Sequence, residues 1–311
     1  MMDSVLALLS SIVDYAGLFP PAKLDMAPAV ANYAKYRVGE HAWMLGRFIV
    51  PAVRLEEFEA AAEPLLPRAE TADLNKTGSL EPWRISALIG EDLDGEIDRI
   101  FAFNRRHDPS AGGVGLAVVD AIELKASSAL SIDKAMGIIP EQLEPFFEIP
   151  IDADPRGLIT AIAGTGARAK VRTGGVTPDA FPQAGHLARF LSLCAAADVP
   201  FKATAGLHHP VCGEFPLTYE AGGPRGMMYG FLNVFLAAAF VRSARMSAED
   251  AARVIAEKDR AAFKLEPSGA SWRDRKLDNT RLAHVRETFA LSFGSCSFEE
   301  PVADLKGMGM V

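Results

Sequence analysis

Apolar residues recur along this chain with two periods in turn. Short runs of strand character, Gly46-Arg-Phe-Ile-Val-Pro51 and Trp83-Arg-Ile-Ser-Ala-Leu-Ile-Gly90, are each followed by apolar positions at helical spacing. Those positions are Leu55, Phe58, Ala62 and Leu65 after the first run, and Ile97, Ile100 and Phe101 after the second. The same alternation predicts further strands at Ala121–Ala126, Pro145–Ile151, Arg168–Arg172, at the residues leading to Lys202, at Ala262–Glu266 and at Phe289–Gly294. Helices are predicted around Leu187, Phe190, Leu191 and Cys194, over 230–240, over 248–260 and over 278–288, with Cys194 in the core. The polar stretch from Pro67 to Pro82 reads as a loop, because the β-then-α order resumes after it.

Eight strands alternating with helices are the count of an α/β (β/α)8 barrel of the TIM type, placed here over residues 42–311. Residues 1–41 read as an N-terminal helical extension, with Asp14 and Tyr15 as cap residues before the turn Gly17-Leu-Phe-Pro-Pro21. A doubly wound open sheet is the competing fold. Against it, no Gly-x-Gly-x-x-Gly follows the first strand, so no dinucleotide is signalled and no cofactor is assigned.

Composition narrows the class. The net charge of −8 disfavours a nucleic-acid partner or an anionic membrane surface. Three cysteines at unrelated spacings suit a reducing cytoplasm. The apolar Val5–Val13 stretch follows Asp3 and is too short to span a bilayer, which makes it a packing helix. A small-molecule partner remains, and a homo-oligomer is left open.

Against this background Arg168-Ala-Lys170-Val-Arg172 and the strand carrying Lys202 and Thr204 stand out, because buried parallel strands are usually apolar throughout. In a barrel, residues at the carboxyl ends of strands converge on one mouth. This predicts a site containing Lys170, Arg172, Lys202, Thr204, Glu123, Lys125, Glu148 and Glu266. The turns Thr173-Gly174 and Thr204-Ala-Gly206, the loop residues His208 and His209, and Ser295 and Cys296 after the last strand join it. Asn233, polar within an apolar helix, is a further candidate ligand contact. Lys202 is the first choice as an imine-forming nucleophile, its proton displaced by the fields of Lys170 and Arg172. The same cations could instead clamp a carboxylate or phosphate without covalent chemistry. One of the two histidines would act as acid or base. A divalent metal on Glu148 and His209, serving a hydrolase or isomerase, is a second reading, and a non-catalytic anion-binding barrel is a third. Ser297-Phe-Glu-Glu300 has the form of a capping box.

The pair Lys170 and Lys202, each before a Thr/Gly-rich turn and separated by one helix, resembles the two-lysine arrangement of the deoxyribose-phosphate aldolase group of class I aldolases. The resemblance implies that a lysine ending one strand forms the imine and a lysine ending the next lowers its pKa. It leaves open which lysine is which. Two features depart from it: the pair falls on the fifth and sixth predicted strands, earlier than in that group, and Arg172 and the double histidine are extra. Separately, DYAGLFPPA, KVRTGG, FKATAGLHHP, GFLN and SFGSCSFEEPVADL together resemble a bacterial family of similar length to which no activity is attached. The function expected is that of a lyase or isomerase on an anionic, carbonyl-bearing metabolite, an oxo-acid or a sugar phosphate.

Overall fold

The computed structural model describes residues 2–68, 81–113 and 115–311, and the Pro67–Pro82 loop lies mostly outside them. Helix α1 (Asp3–Leu9) buries Val5, Leu8 and Leu9 and leads directly into the barrel. The first seven barrel strands are β1 (Val13–Tyr15), β2 (Leu45–Pro51), β3 (Trp83–Leu88), β4 (Ala117–Lys125), β5 (Glu144–Glu148), β6 (Arg168–Arg172) and β7 (Phe201–Thr204). After the first six come, in turn, α2 (Met26–Arg37), α3 (Leu55–Ala62), α4 (Leu93–Arg106), α5 (Ala129–Met136), α6 (Arg156–Ile162) and α7 (Ala184–Ala196).

After β7 the regular alternation is interrupted. A two-stranded hairpin, β8 (Gly213–Pro216) and β9 (Arg225–Met228), precedes α8 (Phe231–Ala244) and α9 (Ala248–Ile255). An antiparallel sheet of β10 (Phe263–Glu266), β11 (Gly269–Trp272) and β12 (Arg275–Asp278) comes next, then α10 (Asn279–Thr288). The last barrel strand, β13 (Ala290–Ser295), pairs with β7 on one side and β1 on the other, closing an eight-stranded ring that ends in α11 (Glu299–Gly307).

The (β/α)8 barrel is therefore present, with two differences from the expected strand list. The segment ending in Glu266 lies in the antiparallel sheet, outside the ring, and its side chains alternate buried and exposed. That one-sided pattern belongs to a sheet with a single covered face, whereas a barrel strand is covered on both. The eighth place is taken by Val13–Tyr15, inside the stretch read as a helical extension, with Asp14 beside Gly294 and Tyr15 beside Ser295. Counting from β1, Lys170 and Lys202 sit on the sixth and seventh barrel strands.

Outward side chains make the core between ring and helices. Phe201 on β7 meets Phe190 of α7 and Phe235 of α8 with ring centroids 5.7 and 6.3 Å apart. The inward side chains are unusual, because barrel interiors are normally filled by layers of Val, Ile and Leu. Here the floor is ionic. Arg47 donates to Asp120 at 2.6 Å and to Glu144 at 2.9 Å, Arg84 donates to Asp120 at 2.6 Å, and Arg168 approaches Glu144 at 3.4 Å. Above it the Phe146 ring carries the Arg168 guanidinium 5.6 Å and the Lys202 ammonium 5.3 Å from its centroid. The ring lies between the floor and a second ionic cluster at the mouth.

Candidate active site

Strand register assembles the mouth cluster. Lys170 lies beside Lys202 across the β6–β7 pair, Glu148 beside Lys170 across β5–β6, and Lys125 beside Glu148 across β4–β5. Because alternate residues on a strand face the same way, the carboxyl ends of four adjacent strands aim charged groups into one space. Asp14 joins them from β1.

The charges alternate in sign. Lys202 Nζ donates to Asp14 Oδ2 at 2.5 Å and to Glu123 Oε1 at 2.7 Å. Lys170 Nζ sits 2.7 Å from Glu123 Oε2 and 2.8 Å from Glu148 Oε2, and Arg172 Nε reaches Glu148 Oε1 at 3.4 Å. Neutral donors complete the carboxylates: Ser86 Oγ to Glu123 at 2.7 Å, Ser292 Oγ to Asp14 at 2.7 Å, and the Arg47 amide to Asp14 at 2.8 Å. Buried charges survive only when paired and hydrogen-bonded in this way.

These partners reverse the electrostatics expected for Lys202. Burial favours the neutral amine, but the Asp14 and Glu123 carboxylates outweigh it and raise the Lys202 pKa above the usual lysine range. The same balance acts on Glu123: burial opposes ionisation, yet Lys170 and Lys202 hold the carboxyl well below its ordinary value. Burial likewise opposes ionisation of Glu148, and Lys170 with Arg172 wins there too.

A cavity of about 390 Å³ opens above the cluster. The adjacent strands β4, β5 and β6 supply its charged lining of Glu123, Lys125, Glu148, Lys170 and Arg172. Phe19, Pro20, Ile49 and Leu88 come from β2, β3 and the segment after β1, the neighbouring arc of the ring, and Val176 comes from the segment after β6. Thr204, His208 and Cys296 complete the rim. Lys202 does not reach the cavity; its side chain is 1% exposed and lies under the carboxylates. Lys170 does reach it. The Glu123 oxygen facing Lys170 makes no directed hydrogen bond, so Lys170 is held there by charge.

A second network crosses the rim. His208 Nδ1 lies 2.8 Å from Glu300 Oε2, and the Tyr219 hydroxyl, from the β8–β9 turn, donates to the same oxygen at 3.1 Å. With the carboxylate accepting from Nδ1, Nε2 is the nitrogen left for proton exchange. Ser297 Oγ accepts the Glu300 amide at 3.1 Å as a capping box requires, but the Glu300 carboxylate serves His208 instead of turning back to the helix start. Tyr219 also stands 3.7 Å from Cys296 Sγ. Burial pushes the Cys296 thiol up to about 11, which leaves it protonated and unreactive near neutrality.

Several expected residues have other work. His209 turns from the mouth, pairing with Asp304 at 2.6 Å and stacking on Phe215, so it and Glu148 do not form a metal site. Among the described residues no group of three His, Cys, Asp or Glu side chains is placed to hold an ion. Asn233 is consumed internally, donating to the Val254 and Glu257 carbonyls at 2.8 Å and accepting the Cys212 amide at 2.9 Å. Thr173 is fully buried and donates to the Ala205 carbonyl at 2.5 Å, tying together the loops after β6 and β7. Gly206 has φ +75°, and a Cβ there would stand 2.8 Å from Gly174 Cα, so these two glycines permit a close loop crossing and are not among the residues lining this cavity. Ser295 Oγ is buried and accepts the Ser297 amide at 3.4 Å.

Fold and cluster together define a parallel (β/α)8 barrel with a lysine–carboxylate site at the end of the ring where barrel enzymes carry out their chemistry. The chain matches no protein-family model and no curated protein. No helix among the described residues is long and apolar enough to cross a membrane.

Proposed function

We propose that the protein is a lyase or isomerase acting on a small anionic carbonyl compound, with Lys170 as the imine-forming residue. The observation that carries this reading is the convergence of Lys170, Glu148 and His208 on one cavity, with Lys202 buried behind them. The aldolase resemblance supports it: counted from β1 the lysine pair moves one strand later, which is the direction that resemblance requires.

Lys170 passes a proton to Glu148 at 2.8 Å and its free amine attacks the carbonyl carbon. The C–N bond forms as the π pair moves to oxygen, which takes the Nε2 proton of a His208 imidazolium whose Nδ1–H stays on Glu300; the neutral His208 then removes one proton from the new ammonium and is an imidazolium again. Glu148 returns its proton to the hydroxyl, water leaves, and the nitrogen lone pair closes a protonated imine. That cation accepts the electron pair of an adjacent C–C or C–H bond. Lys202 keeps Glu123 ionised and in place, while Glu300 and Tyr219 orient His208. Lys202 is thus a positioning residue, in place of the nucleophile that sequence suggested.

Borohydride reduction in the presence of oxo-acids and of sugar phosphates, followed by peptide mass analysis, tests the assignment. An adduct at Lys170 that disappears in Lys170→Arg is expected. Absence of any adduct at Lys170 across both panels, or an adduct at Lys202, overturns it.

A further inference from the structure

We infer that the substrate is a carboxylate with an aliphatic body, and that phosphate esters of sugars are excluded. The inference deepens the proposed function, on which it relies only to place the carbonyl beside Lys170.

The cavity is divided by chemistry. Phe19, Pro20, Ile49 and Leu88, from the arc of β1, β2 and β3, form a wall without a side-chain donor or acceptor. A polyhydroxylated chain laid on that wall would lose water from each hydroxyl and gain nothing in return. An alkyl chain gains by the same contact.

The anion side is equally selective. Barrels that grip phosphate commonly do so near the last two strands, with free amides at a helix start. Here two amides at that position are already used. The Ser297 amide is engaged by Ser295 and the Glu300 amide by Ser297 Oγ, and Glu299 and Glu300 put two carboxylates in the first turn of α11. A dianion would be repelled there. On the opposite rim Lys125 forms no ion pair among the described residues, and Arg172 holds Glu148 only at 3.4 Å. Over the mouth as a whole, the four cations Lys125, Lys170, Arg172 and Lys202 face the three carboxylates Asp14, Glu123 and Glu148, which leaves one positive charge to spare and matches a monoanion. The planar Arg172 fork suits a carboxylate geometrically.

Calorimetric titration of the intact protein, without borohydride, with 4-methyl-2-oxopentanoate, ribose 5-phosphate and inorganic phosphate tests this. The oxo-acid should bind at least about tenfold more tightly than either phosphate. Lys125→Ala, at an exposed position, should weaken the oxo-acid by about threefold to fivefold, as expected for a rim charge. Leu88→Asn should weaken it by about tenfold and narrow the gap to ribose 5-phosphate. Equal or tighter binding of either phosphate, or binding of none of the three, overturns the inference. The two readings fail separately. Oxo-acid selectivity retained in Lys170→Arg without trapping in the parent would sink only the imine; trapping with sugar phosphates alone would sink only the substrate class.

Discussion

The interior of the barrel holds two ionic clusters, and they differ in their main cations. On the floor, guanidiniums of Arg47, Arg84 and Arg168 meet Asp120 and Glu144. At the mouth, buried ammoniums of Lys202 and Lys170 meet Asp14, Glu123 and Glu148, with the exposed Arg172 guanidinium only at the edge. Arginine stays charged at any physiological pH and its fork fixes geometry, so the floor acts as a permanent brace. Lysine carries a compact ammonium on a flexible stem, and under the proposed function it is Lys170 at the mouth that gives up a proton to its carboxylate. Phe146 separates the two clusters. A polar barrel interior is thus partitioned into an arginine-braced floor and a lysine-rich mouth, the half to which the proposed function assigns the chemistry.

The strongest way to break this contrast is to remove one carboxylate from each cluster. Glu123 is shared by both lysines and lies fully buried, so Glu123→Gln leaves two ammoniums under-compensated. The expected loss is about 3–5 kcal/mol of unfolding free energy, together with loss of trapping at Lys170. Asp120 is partly solvated, and Asp120→Asn should cost about 1–2 kcal/mol and leave trapping at Lys170 intact. Urea unfolding of both variants with the trapping assay measures the contrast. Equal effects on trapping would erase the division of labour.

The two clusters also differ in how they answer pH. Glu123 and Glu148 have folded pKa values depressed below the ordinary 4.5, so their contribution is present above that value and is lost as pH falls through the folded values. Lys202 is raised above 10.5, so its contribution is complete below 10.5 and is lost as pH rises through the higher folded value. On the floor, burial opposes the charge of Arg47, but the Asp120, Asp14 and Glu144 carboxylates outweigh it and raise its pKa above the ordinary arginine value. Stability measured from pH 9 to 12 should therefore fall in the parent protein, and the part of that fall due to Lys202 should vanish in Lys202→Met. An unchanged alkaline limb in that variant would mean that Lys202 is not the group responsible.

Much of this arrangement is legible in the chain. The cations at Lys170, Arg172 and Lys202 break the apolar rule for parallel strands, and that violation alone locates the mouth. Other parts are not legible, for physical reasons. Val13–Tyr15 is only three residues long, below the span over which alternation can be seen, so Asp14 reads as a cap instead of the partner of Lys202. Phe263–Glu266 has strand character and falls where the alternation places a seventh strand, but its one-sided pattern is that of a half-covered sheet. Glu300 satisfies the capping pattern while its carboxylate is used elsewhere, and no local rule shows that. Asn233 illustrates the converse, a polar residue in an apolar helix whose partners are all backbone groups distant in sequence.

The smallest expected effect lies at the rim, where neither cluster is involved. Tyr219 comes from the β8–β9 turn, its residue 57% exposed, yet its hydroxyl reaches Glu300 and burial with the nearby carboxylate lifts its pKa far above the tyrosine range. As a donor it shares with His208 the task of satisfying one carboxylate oxygen. Tyr219→Phe removes that donor while keeping the ring, so stability should change by less than about 0.5 kcal/mol. Glu300 would then be held by His208 alone, the imidazole would be less firmly oriented, and the rate of imine formation should fall by about twofold to fivefold with little change in oxo-acid binding. Rapid-quench borohydride trapping over time separates rate from affinity. A fall in binding with an unchanged rate would place Tyr219 against the substrate itself, and the rim network would then have to be redrawn as part of the cavity wall.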